Sequence, residues 1–271
     1  MSSITVAYRA KHVGVCPPAR GAVIAELARA HPAPAWVVVA GGARIAEQLA
    51  EDVAFFWRAA KGDSGLRTQD AGGERTRDCP DVFVFPDAAP DARELSETFA
   101  TSADRLAVLS ALRKQGASQA MLVFTTPGAL GAPAPALEQF AAAEFALSRG
   151  QGFSFHALVE KLNALDYDSE AVCEAPGSYA VRGGIIDVYP ITATQPYRLD
   201  FFGDEIESIR AFDPVTQRSG GAAESITISA SPRVKLEASK SGIADYLPAG
   251  AHVLLVEPAE LERGGQDATP A

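Results

Sequence analysis

Up to about residue 135 the apolar positions fall in short β-type runs separated by stretches with helical spacing, the arrangement of a parallel α/β sheet. The runs Val13–Cys16, Trp36–Ala40, Val82–Phe85 and Met121–Phe124 predict strands. Two stretches, Ala22–Ala30 and Ser102–Lys114, predict crossover helices. In the second, Ser102 stands where an N-cap would, Asp104 lies in the first turn, and Leu106 and Leu109 share a face. Lys61–Asp78 has no apolar period and many Gly and charged residues, so it reads as a surface loop.

From about Gly150 the pattern changes. Ser154 is expected to cap a helical stripe of Leu158, Leu162 and Leu165, and Ser178–Ile228 reads as successive β-runs broken by Gly-Gly, Gly-Asp and Asp-Pro turns. That describes a small α+β unit rather than more of the same sheet. In Pro196–Arg210 the period of two puts Tyr197, Leu199 and Phe201 on one face, read as the core face, and Arg198, Asp200 and Phe202 on the other. An aromatic beside an Arg on an open sheet face is the pairing enriched at protein-binding hot spots. The alternative is that Phe202 packs under a loop and Arg198 pairs with Asp200 or another acid. Arg182 precedes a Gly pair in the neighbouring β-run, and pairing of the two runs would put Arg182 and Arg198 on one face. As surface positions, Arg198 and Phe202 are expected to tolerate truncation, whereas Leu199 is not. From Ser229 onward the chain returns to short strand and turn signals, and Gly264–Ala271 reads as a frayed end.

Composition narrows the function. Over 271 residues, 24 Lys and Arg face 34 Asp and Glu, a net charge of −10, the wrong sign for a surface that grips nucleic acid. Apolar residues at 47% and charged residues at 21% are ordinary for a globular protein. No apolar run approaches the roughly 20 residues of a membrane span, and Ala35–Ala40 and His252–Val256 read as buried strands. The first residues lack the basic and apolar regions of a secretory signal, so a cytoplasmic, membrane-free setting is expected. Cys16, Cys79 and Cys173 are dispersed and suit reduced structural thiols. His12, His31, His156 and His252 have no metal-binding spacing. The acids Asp200, Asp204, Glu205 and Glu207 read as a solvated hairpin end.

Gly14–Gly21 occupies the place of a phosphate-binding loop, but Ala19, Arg20 and Gly21 stand where the second Gly, the Lys and the hydroxyl residue would be. Pro17 and Pro18 remove two more backbone donors. A plain turn is the expectation, with no cofactor, no metal and no catalytic residue.

The strings Gly177–Pro190 (GSYAVRGGIIDVYP) and Pro196–Ser219 (PYRLDFFGDEIESIRAFDPVTQRS) resemble the module shared by bacterial transcription-repair coupling factor (Mfd) and the excinuclease protein UvrB. Gly150–Leu162, Phe85–Asp87 and Asp104–Leu106 are similar more weakly, in the same order. The degenerate loop and the lack of a Tyr cluster between Phe85 and Asp104 fit the coupling factor's amino-terminal region. The resemblance implies a degenerate helicase-like (RecA/P-loop-like) parallel-sheet domain at 1–140, an inserted α+β domain at 141–228 that binds the excinuclease protein UvrA, and a return segment at 229–271. It places the family's recognition residues on Arg182, Arg198 and Phe202. It also implies that RNA polymerase and DNA are met only through domains outside these residues, where the motor motifs lie, so no catalysis is expected from this chain alone. The rival readings are an ATP- and damaged-DNA-binding protein like UvrB and an orphan, non-enzymatic scaffold.

Overall fold

A computed structural model describes residues 11–60, 80–88, 95–115, 120–234, 241–259 and 261. The expected loop at Lys61–Asp78, Cys79, the first ten residues and the Gly264–Ala271 end lie outside them.

The first layer is a parallel sheet. Strands β1 (Ala35–Val39), β2 (Asp81–Phe85) and β3 (Met121–Thr125) are joined there by β12 (His252–Leu255) in the order β12-β1-β3-β2. β1 and β3 are apolar and buried along their whole length because both of their faces are covered, so they hold the centre. Helices α1 (Arg20–Ala30) and α2 (Ala43–Ala59) cover one face, where Ile24, Leu49, Val53 and Trp57 meet Trp36, Val38, Leu122 and Phe124. Helix α3 (Leu95–Lys114) covers the other with Leu106 and Leu109. The short helices α4 (Pro127–Gly131) and α5 (Leu137–Ala142) follow β3, and Thr126 caps α4 by accepting from the backbone N–H of Ala129 at 3.0 Å.

The rest of the chain is antiparallel in style. β4 (Glu144–Ser148) pairs with β11 (Ser225–Ser229), and helix α6 (Phe155–Ala164) packs on a six-stranded sheet. That sheet holds β5 (Asp168–Ser169), β6 (Ser178–Arg182), β7 (Ile185–Val188), β8 (Tyr197–Phe202), β9 (Glu205–Phe212) and β10 (Ser219–Ala222), in the order β10-β9-β8-β7-β6-β5. One apolar cluster runs from Val123 and Leu109 of the first layer through Phe140 and Leu147 to Leu158, Ile186, Leu199 and Ile209. The six-stranded sheet is therefore packed onto the parallel one.

Four expectations are corrected. Val13–Cys16 is exposed coil running into a 3-10 turn at Pro17–Ala19, since the two prolines cannot donate to a ladder. α3 begins at Leu95, so Ser102 lies inside the helix and caps nothing. The 17-residue α2 fills a stretch to which sequence reading assigns no helix. His252–Leu255 is an edge strand with Val253 and Leu255 half exposed, because among the described residues only β1 pairs with it. Ser154 holds the N-cap position of α6 without a side-chain cap bond, and Asp204 Oδ1 accepts from the Phe155 N–H at 3.4 Å instead.

Candidate functional site

The candidate face is built by three hairpin-linked strands. Registers Arg182↔Ile185, Ile185↔Asp200 and Asp187↔Arg198 place Arg182, Asp187, Arg198 and Asp200 on one side of the six-stranded sheet, with Phe202 two residues past Asp200. Leu199 is fully buried on the opposite side, and Tyr197 and Phe201 pack against the same core. The turns at Gly183 and Gly203 both have φ near +60°, which glycine adopts without strain, so the β6–β7 and β8–β9 hairpins can be tight and end side by side.

Charge on this face is arranged as a ladder. Arg198 donates Nε and Nη2 to the two carboxylate oxygens of Asp187, each at 2.7 Å, and Asp187 is only 1% exposed. Asp187 holds the guanidinium above its ordinary pKa, and the Arg198 head lies 5.0 Å over the Phe212 ring. One strand along, Arg210 donates to Asp200 at 2.5 Å, and Ser208 bonds the same carboxylate. Arg182 donates Nη2 to the carbonyl of Ala171 at 3.0 Å. The loop containing Ala171 buries Cys173 against Ala180 and Phe212, at the end of the face away from the Gly183 and Gly203 turns, and burial pushes the Cys173 thiol up to about 11.

The other end is open. Phe202 is 80% exposed and lies opposite Glu205, next to a β-bulge at which Glu207 is the unpaired residue of β9. Asp204, Glu205 and Glu207 are exposed. The structure thus brings Arg182, Arg198 and Phe202 onto one face but commits Arg198 to an internal partner. The expectation that Arg198 is a freely removable surface cation is corrected. Sequence reasoning missed Asp187, although an Asp inside the apolar run Ile185-Ile186-Asp187-Val188 signals a buried acid that needs a cation.

Residues 145–233, which contain this whole face, match the model of the UvrB interaction domain. The chain is similar over most of its length to the transcription-repair-coupling factor of Myxococcus xanthus, 31% identical over 256 residues, 91% of this chain and 20% of that protein. It also resembles the factors of Bacillus subtilis, 32% identical over 126 residues (46% of this chain, 10% of that protein), and Escherichia coli, 39% over 82 residues (30% and 7%). The chain carries the amino-terminal, UvrB-like module of these factors. It spans a fifth or less of the length of the three relatives.

Elsewhere in the chain, the residues of Gly14–Gly21 have structural employment. Gly14 sits in exposed coil at φ +77°, and Ala19 ends the 3-10 turn. Arg20, the first residue of α1, forms an ion pair with Glu257 beyond β12. Gly21 is buried where α1 crosses α2, and a Cβ there would overlap Cβ of Asp52. Among the described residues, no group of three or more His, Cys, Asp or Glu is placed to hold a metal ion, and no helix is long and apolar enough to cross a membrane.

Proposed function

We propose that this chain is a recruitment module of transcription-coupled nucleotide excision repair that docks the excinuclease protein UvrA through the open end of the six-stranded sheet. The observation that carries this reading is Phe202. A large aromatic left 80% exposed at the end of an otherwise well-packed strand, inside the segment that matches the UvrB interaction domain, supports a role as anchor in a partner's pocket. Arg182 lies on the same face two strands away, at the end of β6, and Arg198 lies behind Phe202 on the same strand.

In this reading residues 1–140 and 229–271 form a degenerate helicase-like domain and 141–228 the inserted docking domain. The parallel sheet acts as a carrier that neither binds nor hydrolyses ATP, since Arg20 and Gly21 serve packing and an internal ion pair. Contacts with RNA polymerase and DNA are assigned to parts of the longer relatives outside these residues, and the setting is cytoplasmic.

The test is titration calorimetry of the intact chain with purified UvrA. Wild type is expected to bind, and Phe202→Ala to lose about 30-fold or more, the result of removing an anchor worth about 2 kcal/mol. Absence of wild-type binding, or an unaffected Phe202→Ala complex, would overturn the reading.

A further inference from the structure

Resting on the docking reading above, we propose that the socket receiving Phe202 is rimmed by basic side chains, and that Glu205 and Glu207 are specificity determinants of the interface.

The three arginines on this face, Arg182, Arg198 and Arg210, counted as free charges, would point to an acidic partner surface. The geometry removes most of that charge. Arg198 is bidentate to Asp187 and Arg210 is bonded to Asp200, so both cations are neutralised within the sheet. Among the described residues Arg182 alone of the three is without a carboxylate, and it already donates to a backbone carbonyl.

The acids around Phe202 are in the opposite condition. Glu205 is the direct cross-strand neighbour of Phe202, and Glu207 is the residue thrown out of the ladder by the bulge. Both are exposed, and neither side chain is engaged by a described residue. The Asp204 side chain, at the turn between the two strands, accepts only the long contact from Phe155 N–H among the described residues, at the start of α6. Glu205 and Glu207 are therefore the carboxylates beside the ring on the β8–β9 hairpin, while Asp204 turns to the start of α6 and Arg182 stands on the same face two strands away, at the end of β6.

A partner that encloses the ring must cover these acids. Covering them without counter-charge would leave desolvated carboxylates unpaired, a cost that a basic rim removes. The complementary surface is thus an apolar socket with Lys or Arg facing the β8–β9 turn and a carboxylate or carbonyl facing Arg182. A second copy of this chain fits poorly, because two such ends would bring the same acids together in a molecule that already carries a charge of −10.

The experiment measures binding of purified UvrA to the intact chain at low and physiological salt, with light scattering to detect self-association and circular dichroism to verify folding. Three variants are compared: Phe202→Ala, the double Glu205→Gln/Glu207→Gln, and the double Glu205→Lys/Glu207→Lys. Charge reversal is expected to weaken binding on the order of 10-fold or more at low salt and to flatten its salt dependence, with the Gln pair between it and wild type. If Phe202→Ala abolishes binding while the Lys pair binds at wild-type strength or tighter, the basic rim is wrong and the docking reading stands. If Phe202→Ala binds normally, the docking reading itself falls. Self-association lost in Phe202→Ala, without binding of UvrA, would assign the socket to a second copy and overturn both.

Discussion

Arg198 and Phe202 lie four residues apart on one face, yet their removal has different consequences. Arg198→Ala strands the Asp187 carboxylate, 1% exposed, in the sheet, and losing one member of a buried pair costs about 3–5 kcal/mol. Phe202→Ala removes a side chain that touches mainly water and is expected to leave the melting temperature nearly unchanged. Leu199→Ala, fully buried between them in sequence, should cost about 2–5 kcal/mol. Urea unfolding of the three variants checks this order, and adding Asp187→Asn to Arg198→Ala should recover part of the loss, because a neutral amide is cheaper to leave unpaired. Alternation alone assigns Arg198 to this face. It cannot identify Asp187 as the partner, since that requires the β7–β8 register, which a period of two leaves open. Cys173 adds a pH-dependent effect. Burial raises its thiol from about 9 to about 11, so the folded chain keeps a proton that the unfolded chain releases. Stability from this source is complete below pH 9 and is lost as pH rises toward 11. Between pH 8 and 10.5 wild type should therefore lose about 2 kcal/mol more than Cys173→Ala in urea titrations.

At the scale of elements, what can be read from sequence depends on whether burial is two-sided or local. β1, β2 and β3 appear within a residue of their predicted bounds because continuous apolar runs have few alternatives in an α/β chain. Val13–Cys16 has the same composition but runs into two prolines, and the helix that follows takes over the backbone. The start of α3 is hidden because a Ser at position 102 signals a cap only if no helix precedes it, and here one does. In the sequence Gly21 stands as the lost hydroxyl of a phosphate loop, whereas its structural role depends on α2, a helix that sequence reading does not assign although Ala46, Leu49, Ala50, Val53 and Trp57 recur at helical spacing. Gly21→Ala should test that role. Alanine favours helix by about 1 kcal/mol, but its Cβ would overlap Asp52 Cβ and force α1 from α2. A net destabilisation of about 1–3 kcal/mol is expected in thermal melts. Gly131→Ala should change little, since no atom lies within 4 Å of the added carbon.

For the whole molecule, the continuous core from Val123 to Ile209 means that the candidate face is held on the parallel sheet by packing. The carboxyl ends of that sheet, where α/β folds usually hold ligands, are occupied by the molecule's own contacts: Arg20 pairs with Glu257 after β12, and Thr126 bonds Asp87 between β3 and β2 at 2.5 Å. A nucleotide phosphate entering there would have to displace the ion pair and would find no Lys within Gly14–Gly21. Mg-ATP added to the intact chain is therefore expected to give no calorimetric binding in the micromolar range and no turnover above background. The −10 net charge adds a second expectation, that damaged and undamaged duplexes are both left unbound in gel shifts at physiological salt. The two assays together separate a recruitment module from a protein that works as UvrB does. Micromolar ATP affinity that disappears with Arg20→Ala, or sub-micromolar binding selective for damaged duplex, would move this chain into the second class.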